Sequence, residues 1–335
     1  MRNLPRINVA RIKKTAQLIR ELEIEKPLNF YSIVNGSGHE IVFHDTYPPL
    51  HAPGVVDFFF FAMIHNYGFW HDDGEKYTTP LHGKWGGKDA KGSDLLWKML
   101  RKALLVDDMA FTPEKLEYIS DEQFARIFSD DNGRVEFFNT EERRGLTRAY
   151  GRWFRTMRMA GQTPSELVNY ANEYINPASA LRQILIHPEN GVPGYHEDPL
   201  GKKTELLIMA LVNRTERILR KSRHAEFFPI VDYHDMRLTL RLGHVILPKD
   251  WVLENEERRI TSPEREEAIR RTTYRADLML IALSGKTRDE IDMLKWSARR
   301  YCPEMTPPNC SACLLQSVCA KRTRLFQPVF RTTFY

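Results

Sequence analysis

All four cysteines of the chain lie within eighteen residues, spaced C-x7-C-x2-C-x5-C as Cys302, Cys310, Cys313 and Cys319. Pro303, Pro307 and Pro308 stiffen the first gap. So short a span lets four thiolates converge on one centre, as both tetrahedral zinc and a 4Fe-4S cluster require. A disulfide framework confined to one end of a 335-residue chain would hold little together. The spacing predicts a tetrathiolate metal site, with free thiols or disulfides as the remaining reading.

A second chemical feature is Asp232, which follows the apolar run Phe227-Phe228-Pro229-Ile230-Val231 and precedes a stretch of helical spacing. The pattern predicts a partly buried carboxylate at a helix mouth, facing backbone N–H groups. On the local sequence alone it reads as an ordinary N-cap. Earlier in the chain, Gly201 precedes Lys202 and Lys203 at the start of a helix read over 202–221, so that its amino end presents cations. In the run His65-Asn66-Tyr67-Gly68-Phe69-Trp70, Asn66 offers a donor and an acceptor to a base edge. Phe69 and Trp70 offer planes for stacking, worth about 1–3 kcal/mol per base. A packed aromatic corner is the alternative. The segment 76–94, rich in Gly and Lys around Trp85, reads as a loop able to cover a ligand phosphate.

These residues must be positioned by a mostly helical chain. Amphipathic spacing over 8–25 predicts an opening helix, and 28–53 reads as loops with a turn at Asn35-Gly36 and a brief hairpin at 39–44. The run 55–64 is too short to span a bilayer and predicts a buried helix. Further helices are read at 94–106, 121–129, 140–160, 164–174, 177–187, after Asp232, from Ser262-Pro263 to Leu283, and over 287–300. Hydrophobic residues make up 42% and charged residues 28%, as in a globular protein, and the net charge of +5 suits phosphate-bearing ligands without specifying nucleic acid. No apolar run approaches ~18 residues, and the start has no secretory h-region, so no membrane partner and a cytoplasmic location are expected.

The pieces Gly201-Lys202-Lys203-Thr204 and Val231-Asp232-Tyr233-His234, with Arg237 behind them, resemble the Lys-Thr and Val-Asp-x-His-x-x-Arg signature of endonuclease III-type helix-hairpin-helix glycosylases. That resemblance implies that Lys203 attacks the sugar C1′ and that Asp232 stabilises the charge developing there. The separation of 29 positions is longer than that family's. The x2 and x5 cysteine gaps resemble the same branch's C-terminal 4Fe-4S loop, one residue longer in the first gap, which implies a 4Fe-4S cofactor with zinc as the alternative.

A broader resemblance, over about residues 55–285, is to the queuosine salvage proteins. Asn66-Tyr67-Gly68-Phe69-Trp70, Gly92-Ser93-Asp94, the run 120–128, Lys202-Lys203, Asp232-Tyr233 and Glu266-Glu267-Ala268-Ile269-Arg270 occur in that family's order, whereas His234-Asp235-Met236 replaces its Arg-x-Pro. It implies a mainly α, helix-hairpin-helix glycosylase-like fold. The domains expected are an N-terminal helix with loops (1–53), a helical domain of two lobes with the active site between them (54–300), and a cluster loop with tail (301–335). The implied activity is release of a 7-deazaguanine-like base from a nucleotide or nucleoside. Asn66, Phe69 and Trp70 would hold the base, and Lys202, Lys203 and Arg237 would meet the phosphate. A DNA glycosylase, its backbone grip aided by Lys321, Arg322 and Arg324, is the alternative. A non-catalytic nucleic-acid-binding protein is the third reading.

Overall fold

The computed structural model describes residues 4–34, 39–134, 137, 139–157, 162–222 and 226–335. Its helices, in chain order, are α1 (Val9–Glu21), α2 (Val55–Ile64), α3 (Gly92–Val106), α4 (Pro113–Glu117), α5 (Asp121–Ile127), α6 (Thr140–Thr156), α7 (Pro164–Asn172), α8 (Pro177–Leu185), α9 (Lys202–Asn213), α10 (Tyr233–Leu242), α11 (Lys249–Glu256), α12 (Pro263–Ser284) and α13 (Arg288–Ala298). The strands among the described residues have two to four residues each, so the fold is mainly helical as expected. No helix among them is long and apolar enough to cross a membrane.

The chain divides into two compact units that are discontinuous in sequence. Unit 1 comprises 1–27, 72–79 and 228–331, and unit 2 comprises 28–71, 80–227 and 332–335. The resemblance implied three consecutive segments with breaks near 53 and 300. Instead, the N-terminal helix belongs with the C-terminal third of the chain, because α1 packs on α12.

Unit 2 is organised on α2. A helix that is apolar all round has to be buried, and every side chain from Phe58 to Ile64 is fully covered. α2 packs on α3, α7 and α9. Phe61 stacks on Phe111 at 4.8 Å between ring centroids, and Phe58 meets Trp97 at 5.8 Å. Gly151 lets α6 approach α4 closely: a Cβ there would stand 2.4 Å from the Glu117 nitrogen, so no other residue fits. Capping boxes start α5 at Ser120 and α7 at Thr163. α6 begins at Thr140, but its cap residue Asn139 makes no side-chain cap bond.

Three expectations for this unit are corrected. The helix read over 202–221 stops at Asn213, because Arg214 leaves helical geometry and turns its buried guanidinium to the carbonyls of Phe30 (2.8 Å) and Pro49 (3.2 Å) and to Glu216 (2.6 Å). Within the 76–94 loop, His82–Trp85 pairs antiparallel with Lys88–Lys91. Gly86 and Gly87, at φ +57° and +74°, make the two-residue turn that such a hairpin needs. The hairpin read at 39–44 is formed by Glu40–Val42 paired with Ser32–Val34, while Asn35-Gly36 lies outside the described residues. The end of the 140–160 helix beyond Met157 lies outside them too.

In unit 1, α12 packs on α1 and α10, and α10 also packs on α13. A two-residue ladder joins Arg6–Ile7 to Val245–Ile246, and buried His244 shares a 2.9 Å hydrogen bond with Thr15. Arg241 of α10 donates to the carbonyls of Leu325 (2.7 Å) and Pro303 (2.9 Å), which secures the segment carrying the cysteines. α11 and, in unit 2, α4 were not read from the sequence; both are short.

Because Phe61 is fully buried against Phe111 and His65, Phe61→Ala leaves a cavity that helix α2 cannot collapse. We expect it to cost about 3–5 kcal/mol of unfolding free energy, measured from the shift of the urea midpoint at unchanged m-value.

Candidate active site

Where α2 ends, four successive carbonyls point away from any helical partner. Each meets a buried cation. Lys203 Nζ donates to Ile64 O (2.7 Å), Arg143 to His65 O (2.8 Å) and also to Tyr67 O, and Lys202 Nζ to Asn66 O (3.1 Å) and Asn66 Oδ1 (2.6 Å). The Arg143 guanidinium lies 3.8 Å from the Tyr67 ring centroid, and Lys203 Nζ lies 4.6 Å from it. Cations suit a helix carboxyl end, where the dipole is negative.

Gly201, at φ +62°, makes the left-handed step into α9, and the Asp198 carboxylate accepts from the N–H groups of Leu200 (3.0 Å) and Lys202 (2.6 Å). This turn aims both lysines inward, contrary to the expectation that the helix start would present cations: Lys202 is 2% exposed and Lys203 1%. Burial holds the Lys203 amine well below the ordinary lysine range; the charges of Lys202 and Arg143 push the same way, and Asp198 and Glu197 oppose it. Arg143 is lowered to about 10, chiefly by burial. His65 is kept well below its usual range by burial and then by Arg143 and Lys203, so its imidazole is neutral, sharing a 3.0 Å bond with Thr147. An amine so lowered as that of Lys203 gives up its proton more readily than an ordinary lysine, and only the deprotonated form can act as a nucleophile or base. His65, Arg143 and Asp198 were not singled out from sequence, although His65 opens the very run that supplied Asn66, Phe69 and Trp70.

Those three residues are in the interior of unit 2, at 5%, 3% and 8% exposure. Asn66 gives its side-chain carbonyl to Lys202, and the Phe69 backbone carbonyl accepts from Leu81 N–H at 2.9 Å. Their burial is what the packed-corner alternative expects.

Unit 1 holds Asp232. It caps α10 as its position implied: Oδ1 accepts from Asp235 N–H at 2.9 Å, and the residue is partly buried. Arg270 supports the approach by donating to Val231 O (3.2 Å). One turn into α10, Asp235 joins a buried network that the sequence did not reveal. Lys295 Nζ donates to Asp235 Oδ1 (2.6 Å), to Thr239 Oγ1 (3.1 Å) and to Asp277. Burial and the neighbouring Asp277 hold Asp235 well above the carboxylate range, against the pull of Lys295. Arg237, expected to meet a phosphate, is 2% exposed and bonds Gln327 Oε1 (2.7 Å) and His234 Nδ1 (2.8 Å), with Glu304 at 3.8 Å. Asp232 and Lys203, paired by the sequence signature, thus belong to different units.

The four cysteines lie in unit 1, uncrosslinked and partly buried. The Arg241 guanidinium donates to Cys302 Sγ at 3.3 Å, and Lys321 N–H to Cys319 Sγ at 3.3 Å. Burial pushes the Cys313 and Cys319 thiols up, partly offset by backbone N–H donors, and the other cysteines add to the rise. The sulfurs therefore lie within electrostatic reach of one another, but no three or more His, Cys, Asp or Glu among the described residues are gathered as a metal-ligand set.

Residues 47–187 match the model of one protein family, described as queuosine salvage protein. The matched segment covers less than half of the chain; it includes Asn66, Phe69, Trp70 and Arg143 and ends before Lys202. No curated protein sequence matches the chain.

The cap geometry separates the structural role of Asp232 from any chemical one. Asn caps as well as Asp, so Asp232→Asn should leave stability within about 0.5 kcal/mol of the parent, while Asp232→Ala should cost about 1 kcal/mol. Chemical denaturation of the two variants measures both.

Proposed function

We propose that the protein is an N-glycosidase of the queuosine-salvage type, which hydrolyses the bond between a 7-deazaguanine-like base and ribose in a nucleotide or nucleoside. The observation that carries the reading is the family match over 47–187. Breaking an N-glycosidic bond places positive charge on the sugar, so the reaction needs a fixed anion, a water and a proton for the departing base. Asp232 is suited to be the anion, because α10 holds its carboxylate in one orientation through the Asp235 N–H. Asn66, Phe69 and Trp70 lie inside the matched segment and are kept as the residues for the base; all three are buried here, with the Asn66 side-chain carbonyl on Lys202, so that role requires the corner to open on binding. Lys202 and Arg237 are withdrawn from the phosphate, since their cationic atoms are spent on Asn66 and on Gln327 and His234. The enzyme would work in the cytoplasm on a soluble substrate.

A second reading, a DNA glycosylase acting on a damaged or hypermodified base, is favoured by one observation. The Lys203 amine is buried and held below its usual range, as a Schiff-base nucleophile requires. The cysteine loop fits either reading. Four uncrosslinked thiols within eighteen residues have the number and spacing that a thiolate-bound 4Fe-4S cluster needs, with zinc as the alternative, although the structure does not draw them together as a ligand set. When bound, the metal would pin the segment that Arg241 already secures.

Two experiments test these assignments. Mass spectrometry should detect free base released from queuosine monophosphate, with Asp232→Asn lowering kcat by on the order of 10²–10⁴ while ligand binding persists. Lys203→Ala should retain much of that turnover; loss of activity together with loss of borohydride trapping on a modified duplex would establish the DNA reading. Full activity of Asp232→Asn would refute the glycosidase assignment. Separately, protein prepared without oxygen should carry about four iron atoms per chain, and Cys313→Ser should lose them. One zinc and no iron would decide for the alternative.

A further inference from the structure

Helix α3 carries two apolar stripes, and only one of them is fully covered. Leu96, Trp97, Leu100 and Leu104 are buried, with Trp97 against Phe58 of α2. The second stripe, Met99, Ala103 and Val106, follows at helical spacing and runs from the interior to the surface: Met99 is buried, whereas Val106 is 82% exposed. Ile119, just ahead of α5, and Ile127, at its end, stand with this stripe around a cleft of about 290 Å³ that lies within unit 2. Its size is close to the lower end of the range for small-molecule sites.

The polar groups around the cleft are donors whose acceptors are missing or already occupied. Asp107, the carboxylate that lines it, accepts from Lys115 Nζ on both oxygens, at 2.9 and 2.7 Å, and from the Met109 N–H at 3.1 Å. Gln123 gives its side-chain carbonyl to the Ser120 N–H (2.8 Å), which leaves the amide NH2 as its unused end. Lys102 and Arg126 are exposed and pair with no carboxylate among the described residues. The Lys102 ammonium has only a ring beside it, the Trp85 centroid at 5.7 Å. Two unpaired cations and an amide donor beside an apolar wall are complementary to an anion with an apolar body.

We propose that this cleft binds a small apolar carboxylic acid. Its chain or ring lies along Met99, Ala103 and Val106, and its two carboxylate oxygens accept from Lys102, Gln123 and Arg126. The inference stands apart from the N-glycosidase reading, in which none of these residues takes part.

Decanoate is the probe, and decanol is its uncharged match. Calorimetric titration of the full chain should find decanoate bound about tenfold more tightly than decanol, the scale of hydrogen bonds to a charged group. From hexanoate to octanoate the affinity should rise roughly fourfold per methylene, and added salt should weaken it. In protein labelled at its methionine and isoleucine methyl groups, decanoate should shift the NMR signals of Met99, Ile119 and Ile127. Lys102→Ala combined with Arg126→Ala, both at exposed positions, should bring decanoate down to the affinity of decanol. Val106→Asp, at the exposed end of the stripe, should weaken decanoate as well. The inference is overturned if decanol binds as tightly as decanoate, if the double variant keeps the parent's affinity, or if the three methyl groups do not respond. Shifts of the same methyl groups with protein concentration alone, and none with decanoate, would mean that a second copy of this chain occupies the cleft, which overturns it too.

Discussion

The end of α2 inside the core is the constraint on which unit 2 depends. A helix as apolar as Phe58–Ile64 is driven inward, and its last carbonyls go with it, yet a buried carbonyl without a donor costs about 1–3 kcal/mol. The chain meets this cost with cations from two other elements, Arg143 of α6 and Lys202 and Lys203 of α9. That solution creates a second problem. Three positive charges within one buried cluster repel each other by about 3 kcal/mol for a pair 5 Å apart at an effective dielectric of 20. Arginine cannot shed its proton, so the relief falls on a lysine. The low proton affinity of Lys203, set first by burial and then by its cationic neighbours, is thus a by-product of how α2 is terminated.

Depressing an amine also couples folding to pH. Between its folded value and the ordinary lysine range, the unfolded chain binds a proton on Lys203 that the folded chain does not. Its contribution to stability therefore rises with pH through that interval and is least favourable in acid. Unit 1 handles buried charge in the opposite way. Lys295 lies between Asp235 and Asp277, is raised rather than lowered, and keeps its proton. Both lysines are buried, but the cations beside Lys203 add to the lowering that burial causes, whereas the acids beside Lys295 outweigh it.

What could be read from the sequence divides along the same physical line. The starts of α5, α7, α12 and α13 and the cap at Asp232 were legible because a cap is a bargain among residues three positions apart. The end of α9 was not, since Arg214 leaves the helix to satisfy carbonyls near residues 30 and 49, far off in the chain. The Gly86-Gly87 hairpin was passed over because its strands are rich in Gly and Lys; the paired glycines were the one local signal. The inward turn of Lys202 and Lys203 could not be read at all. Two lysines after a glycine look solvated until the carbonyls at the end of α2 are seen to need them.

The same reasoning bears on Asp232. Capping binds one carboxylate oxygen to a backbone N–H and fixes the plane of the group without neutralising it, because an amide donor offers only partial charge. An ion pair with arginine would have fixed it equally well but would have cancelled much of the field that a sugar cation requires. Arg270, the nearby cation, is directed to the Val231 carbonyl, and Arg237 is occupied by Gln327 and His234. The acid is held by a backbone dipole, an arrangement that suits the anion role proposed for it because a fixed carboxylate need not reorient to meet positive charge.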